Sequence, residues 1–352
     1  MRNPLIVTVQ RPYILALALI MVPGIATAQK RAAPSAVDTQ QMIGVQVALD
    51  RAGFSPGEID GRSGPKTRLA LSEFQKATKL QTIGDVSEET LAAFGAQAEP
   101  LVTYTITQQD VEGPFIDAMP KDMMERAKLP ALAYTSALEA LAEKFHASPA
   151  LLRTLNPGAK WAAGEVIKVP NVEPFELPTK ADKPAATPKP APGAKSTTGT
   201  KPDPTAKPTA GTKPAAATVE VVISGATKSL TVRDTAGNVL MYAPITSGSN
   251  KDPLPVGDWK VVGVSWNPPF NYNPDLFWDA DPSHAKAKIP PGPNNPVGVV
   301  WVDINKEHFG LHGTPEPSAI GRTESHGCVR LTNWDATKLG RLVSPGTKVT
   351  IQ

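Results

Sequence analysis

The feature that most restricts how this chain can fold is a stretch that cannot fold on itself. Residues 175–217 are built almost wholly of Pro, Ala, Lys and Thr. Such a segment has too little apolar surface to offset the entropy lost on ordering, so residues 174–217 read as an exposed, partly polyproline linker. Fully extended it would reach roughly 120 Å. Its lysines, Lys180, Lys183, Lys189, Lys195, Lys201, Lys207 and Lys213, outnumber Asp182 and Asp203, which favours solubility and a weak attraction to an acidic polymer. A chain cut in this way is a set of modules, and 352 residues with 37 prolines suit two or three of them. The expected fold class is multidomain α+β: a small helical N-terminal domain, a small α+β domain, and a mostly-β C-terminal domain that the linker lets range around the other two.

Arg2 and Arg11 form a basic start, residues 13–22 an apolar run too short for a comfortable membrane span, and Ala26-Thr27-Ala28 a small-residue cleavage site. Residues 1–28 are therefore expected to be a signal peptide and the mature protein to be exported to the periplasm. No cysteine follows the cleavage site until Cys328, so neither a lipid anchor nor a membrane anchor is expected. A single cysteine also means no intramolecular disulfide, so each module depends on its own core. The net charge of +3 speaks against a nucleic-acid partner.

Residues 37–97 read as a small helical domain. Ile43, Gln46, Val47 and Leu49 mark a first amphipathic helix ending at Ala52-Gly53-Phe54; a turn-rich loop fills residues 56–65; Leu69, Leu71 and Phe74, with Gln75 beside them, mark a second helix. Gly53-Phe54, Ile59-Asp60-Gly61, Gly64-Pro65-Lys66-Thr67 and Thr90-Leu91 resemble the type-1 peptidoglycan-binding domain. That resemblance implies glycan or stem-peptide binding, with a ligand-free bundle and a purely structural turn at Asp60 as the alternative. Residues 101–173 read as a strand at 104–107, an insertion at 110–130, a helix at 136–145 with Leu138, Leu141 and Ala142 on one face, a helix opened by Ser148 and Pro149, and a closing strand at 166–170. The strand-helix-helix-strand order resembles a degenerate LysM module, which implies affinity for N-acetylglucosamine-containing glycans; the insertion is a departure from that pattern.

Beyond the linker the apolar period becomes two. Val219, Val221 and Ile223, then Leu230 and Val232, lead into a turn at Asp234-Thr235-Ala236-Gly237-Asn238 and a hairpin return at 239–242; residues 259–264, 297–303 and 349–351 add strands, and residues 333–343 one helix. Residues 266–293 form a proline- and aromatic-rich excursion of the kind that covers a site. This domain holds His312-Gly313-Thr314 and Ser325-His326-Gly327-Cys328-Val329-Arg330. A thiol nucleophile needs an imidazole or cation nearby, and His312 or His326 is expected to be its base. Polar, glycine-rich neighbours suit a tight turn better than a core strand. An unpaired thiol in an oxidising compartment is also a liability unless something requires it. A metal set of His308, His312, His326 and Cys328 is the rival reading. The strand-like Phe309-Gly310-Leu311 and the lack of a His-Glu-x-x-His helix speak against it, so no metal or other cofactor is expected. His308 reads as a half-exposed strand residue.

Taken with Gly321, Leu254-Pro255-Val256-Gly257-Asp258-Trp259, Pro290-Pro291-Gly292-Pro293-Asn294-Asn295-Pro296-Val297-Gly298 and Asp335, these motifs resemble the L,D-transpeptidase catalytic (YkuD) family over residues 218–352. The resemblance implies that Cys328 is the nucleophile, that His312 donates and accepts the proton, and that the Gly313 carbonyl holds the imidazole tautomer. Ser325 and His326 would shape the loop. Arg330, Gly327 and Thr314 are the implied substrate-binding residues, with the amides of Gly327 and Cys328 as an oxyanion hole. A structural ion pair of Arg330 with Asp335 or Glu324 is the alternative role. The implied function is an exported transferase that forms 3→3 peptidoglycan cross-links, or attaches an outer-membrane protein to the wall, with sensitivity to carbapenems. A carboxypeptidase that passes the acyl group to water, and a non-catalytic wall-binding scaffold, are the competing readings; intact Cys328 and His312 speak against the second.

Overall fold

The computed structural model describes residues 38–95, 99–178 and 219–352. The expected signal peptide, and residues 179–217 of the expected linker, lie outside the described residues. Among the described residues no helix is long and apolar enough to cross a membrane.

Three helices carry the first module: α1 (Thr39–Arg51), α2 (Pro65–Ala77) and α3 (Glu88–Ala93). Met42, Val45, Leu49, Ala70, Leu71 and Phe74 meet in one core. Pro65 sits in the first turn of α2, where a missing N–H breaks no helical bond, and Ser87 caps α3 by accepting from Thr90. Two buried glutamines fasten the loops. Gln46 accepts from the backbone amides of Asp60 and Gly61 at 3.1 and 2.8 Å and donates to Asp60 Oδ1 at 2.9 Å and Thr67 Oγ1 at 3.2 Å. Gln75 repeats the device: it accepts from Ile83 and Gly84 and donates to the Asp85 carbonyl and Thr90 Oγ1. A fully satisfied buried amide holds each loop from within. Asp60, which also accepts from the Arg62 amide, serves this turn.

The second module runs β1 (Leu101–Thr105), α4 (Gln108–Glu112), α5 (Met123–Ala127), α6 (Ala137–Lys144), α7 (Pro149–Leu155) and β2 (Val166–Pro170). The two strands pair antiparallel, and Ser136 and Ser148 cap α6 and α7. The insertion contains α4 and α5. Its residues Met119, Met123, Ala127 and Leu129 pack away from their own module, with Leu132 against Tyr272 and Ile289.

The C-terminal module contains β3 (Val219–Ser224), β4 (Ser229–Asp234), β5 (Val239–Pro244), β6 (Gly257–Trp266), β7 (Phe270–Tyr272), β8 (Ala287–Ile289), β9 (Val300–Ile304), β10 (Gly310–His312), β11 (Val329–Arg330), α8 (Asn333–Leu342) and β12 (Lys348–Ile351). Eight strands form one sheet in the order β11-β10-β9-β6-β12-β3-β4-β5. Helix α8 packs on β9 and β10, and its Trp334, Ala336 and Leu339 join Val300, Val302, Leu311 and Val329 in the core. The chain leaving β5 then returns to β11. Thr246 and Arg330 exchange both backbone bonds, at 3.0 and 2.8 Å, and Gly248 bridges Ser325, so the sheet curls onto itself. The excursion, expected as a loop, holds the β7–β8 hairpin. His308 is not on a strand: it is exposed in the turn before β10 with φ +63°.

The described residues from 38 onward belong to one compact unit, in which the three modules pack against one another. The outer edge of β5 is covered by the first module. Tyr242 N–H donates to Gly53 O at 2.8 Å, Ser55 N–H donates to Tyr242 O at 2.9 Å, and the Tyr242 ring enters the helical core beside Phe54. An uncovered edge strand would expose unpaired backbone groups. The second module docks through His146, stacked on Trp334 at 5.0 Å, and through Leu132, which bonds Pro291 and Asn294 at 2.9 Å each. Ile59 is held between modules, bonded to the backbone of His146 and Ser148. Phe175, read as the start of the linker, is instead buried in the C-terminal core and bonded to Lys144. Its large ring is covered by the apolar side chains of that core.

Candidate active site

The pairing of three short strands builds the site. β10 and β11 run parallel with His312 level with Arg330 and Leu311 level with Val329; β9 and β10 run antiparallel with His312 level with Trp301. Side chains alternate across a sheet, so His312, Arg330 and Trp301 share one face while Leu311, Val329 and Val302 fill the core behind them. Cys328 comes two residues before Arg330, and the Arg330 guanidinium lies close enough to act on both the thiol and His312. Of the two candidate bases, His312 is the one that shares this cation with the thiol.

His312 is buried, and its Nδ1 lies 2.7 Å from the Gly313 carbonyl. A carbonyl only accepts, so Nδ1 carries the proton and Nε2 is left with a free lone pair. Burial, and next the Arg330 guanidinium, push the His312 pKa down to about 3 against the smaller upward pull of that hydrogen bond. Burial pushes the Cys328 thiol up, while the Gly310 amide and Arg330 pull the other way. Both groups therefore rest uncharged near neutral pH. The thiol contacts the His308 carbonyl at 3.6 Å.

The loop into Cys328 is fixed by its own backbone. Ser325 is buried, donates through Oγ to the Cys328 carbonyl at 2.6 Å, and donates through its amide to Ser247. Gly327 has φ +100°, and an added Cβ would sit 2.7 Å from the Phe309 ring, so both backbone and space require glycine. His326 turns away from the thiol: its Nε2 pairs with Asp279 Oδ1 at 2.8 Å, and its ring meets Phe277 edge-on at 4.9 Å. The excursion is thereby fastened against the loop that carries the cysteine.

Arg330 donates to the Glu324 carbonyl at 3.4 Å and lies in the field of Cys328, Glu316 and Asp279. Neither alternative ion pair forms among the described residues. Asp335 instead accepts from Ser55 and Thr332, and the contact at Glu324 is to its backbone. Thr314 is buried, with its hydroxyl accepting from the Glu316 amide. Among the described residues no group of three or more His, Cys, Asp or Glu is placed to hold a metal. Two residues outside the motifs matter here. Asn333 is buried, accepts from Val299, donates to Pro293, and presses on Gly298 and Gly313 behind the imidazole. Trp301 stacks on His312. Asn333 had no sequence signal apart from opening a helix, and Trp301 only its place on a strand.

Residues 218–351 match the family model of the L,D-transpeptidase catalytic domain. They form such a domain. Ahead of this L,D-transpeptidase domain, residues 39–94 match the model of a peptidoglycan binding domain. The L,D-transpeptidase YkuD of Bacillus licheniformis is 44% identical over 61 residues, covering 17% of this chain and 37% of its own. The L,D-transpeptidase YbiS of Escherichia coli (strain K12) is 31% identical over 135 residues, covering 37% of this chain and 43% of its own. The chain thus spans less than half the length of these curated relatives. A solved L,D-transpeptidase from Mycobacterium smegmatis covers 39% of this chain and 59% of its own at 23% identity, with a TM-score of 0.32.

Proposed function

We propose that this protein is an exported L,D-transpeptidase acting on peptidoglycan stem peptides. The observation that carries the proposal is the His312–Gly313 hydrogen bond, which leaves the Nε2 lone pair free on a strand paired with the one that follows Cys328. Because thiol and imidazole rest neutral, the proton moves as the bond forms: Nε2 takes it while Sγ attacks the carbonyl of the stem residue that precedes a terminal D-amino acid. The tetrahedral intermediate collapses, the C–N bond breaks, and His312 returns the proton to the departing amine. A second amine then attacks the thioester, His312 takes its proton, and that proton goes to the sulfur as the C–S bond breaks. The products are a new amide and a free thiol. In this reading the amides of Gly327 and Cys328 receive the oxyanion, and Arg330 receives an acidic group of the stem.

The acceptor amine belongs to a second stem peptide, giving a 3→3 cross-link, or to an outer-membrane protein, giving a covalent tether. The two N-terminal modules contact the wall through faces other than Gly53, Phe54 and Ile59, which are taken up in packing. Mass spectrometry of residues 29–352 incubated with disaccharide-tetrapeptide, beside Cys328→Ala, tests the reading. Cross-linked dimers lacking one terminal D-alanine, absent with Cys328→Ala, are expected. Tripeptide monomers alone would make the protein a carboxypeptidase, and an unaltered reaction with Cys328→Ala would sink the cysteine mechanism.

A further inference from the structure

Trp301 belongs to no motif, yet it shares the sheet face of His312 and Arg330. Its indole and the His312 ring lie 5.3 Å apart between centroids with their planes 13° apart. The indole spreads over Gly310, where any Cβ would run into it, and its Nε1–H reaches toward Asp303 Oδ1 at 3.4 Å. Gly310 is level with Asp303 on β9 and is the residue before Leu311, which is itself level with Val329 on β11. The indole therefore lies across β10, over Gly310 and against the face of the His312 imidazole.

One hydrogen bond from Nδ1 to the Gly313 carbonyl fixes a single atom and leaves the ring free to rock about it. A second, face-on contact removes that freedom. We propose that Trp301 is the positioning residue for His312: it clamps the imidazole face so that Nε2 stays aimed at Cys328, and Gly310 is glycine because the indole needs its space. This rests on the role of His312 proposed above. The other groups acting on the imidazole are Arg330 from β11 and the Gly313 carbonyl just after β10; among the described residues Trp301 is the aromatic ring stacked on its face. An indole face also favours the imidazolium formed when His312 takes the thiol proton.

The test uses the full chain with 15N-labelled histidine, the His312 resonances being assigned by their loss in His312→Gln. Wild type should show one Nδ1–H tautomer. Trp301→Ala should show mixed tautomers and a kcat lower by about tenfold or more with KM within about threefold, whereas Trp301→Phe should keep one tautomer and recover kcat to within about threefold. Gly310→Ala displaces the indole without removing it and should behave like Trp301→Ala; it decides alone if Trp301→Ala fails to fold. A single tautomer with kcat within about threefold of wild type, in whichever of these two variants folds, overturns the proposal. If wild type converts no tetrapeptide, the transpeptidase reading fails instead, and the tautomer comparison still judges Trp301.

Discussion

His312 holds its proton on Nδ1 because the atom it faces can only accept, and that one fact separates the two histidines the motif offers. His326 has a carboxylate partner 2.8 Å away on the excursion, so its ring is committed to holding a loop. Asn333 works at the same scale. Its side chain joins Val299 to Pro293 across the back of Gly313, and removing it would leave a buried amide without an acceptor. Asn333→Ala should cost about 1–3 kcal/mol by chemical denaturation and should also slow turnover as Gly313 shifts. An unchanged midpoint would show that the 293–299 loop is held by other contacts.

The excursion expected to cover the site turns out to be a hairpin, and a hairpin of three-residue strands is not stable alone. It is supported from two sides. Helix α5 and its neighbours pack Met123 and Leu129 against Phe270 and Ile289, and His284 joins Tyr272 to Asp122 at 2.9 Å on each side. Asp279 ties the tip to His326. Partly exposed pairs of this kind are worth about 0.2–1 kcal/mol, so Asp279→Ala should raise amide exchange in β7 and β8 by less than about tenfold while the fold persists. No change in exchange would mean that the insertion alone holds the hairpin. The support was invisible in sequence because it pairs the 110–130 region with a hairpin on the far side of the linker, and no local pattern reports a contact between segments so far apart in the chain.

Across the whole molecule, the junction of the three modules holds a buried acid. Burial lifts the Asp335 carboxyl to about 6 from its ordinary 3.8, with nearby Asp50 adding and hydrogen bonds from Thr332 and Ser55 resisting. An acid that binds its proton more tightly when folded stabilises the fold below about pH 4, and that contribution is lost as the pH rises through 6. The loss amounts to about 3 kcal/mol at most. Asp335→Asn should therefore make the melting temperature fall less, or rise more, between about pH 4 and 7 than in wild type, against the opposing rise with pH that His312, held down to about 3, gives both proteins. Glu143, lifted by burial to about 8, adds a slope of the same sign extending to higher pH, which the variant keeps. Equal slopes in wild type and Asp335→Asn would place the titrating group elsewhere.

The sequence alone determined whatever depends on neighbours along the chain. The period-two strands, the capped helices opened by Ser136 and Ser148, the break in composition, and the cluster around Cys328 are all set by local backbone and side-chain preference. The register that sets His312 level with Arg330, two residues past the thiol, follows from a parallel pair between β10 and β11, and no local pattern specifies which strands meet. The tertiary structure alone decided that Gly53, Phe54 and Ile59 pack inward, that Phe175 belongs to a core, that Trp301 faces the imidazole, and that the modules form one body. Each of these is a contact between segments distant in the chain, fixed by which apolar faces and open strand edges had to be covered.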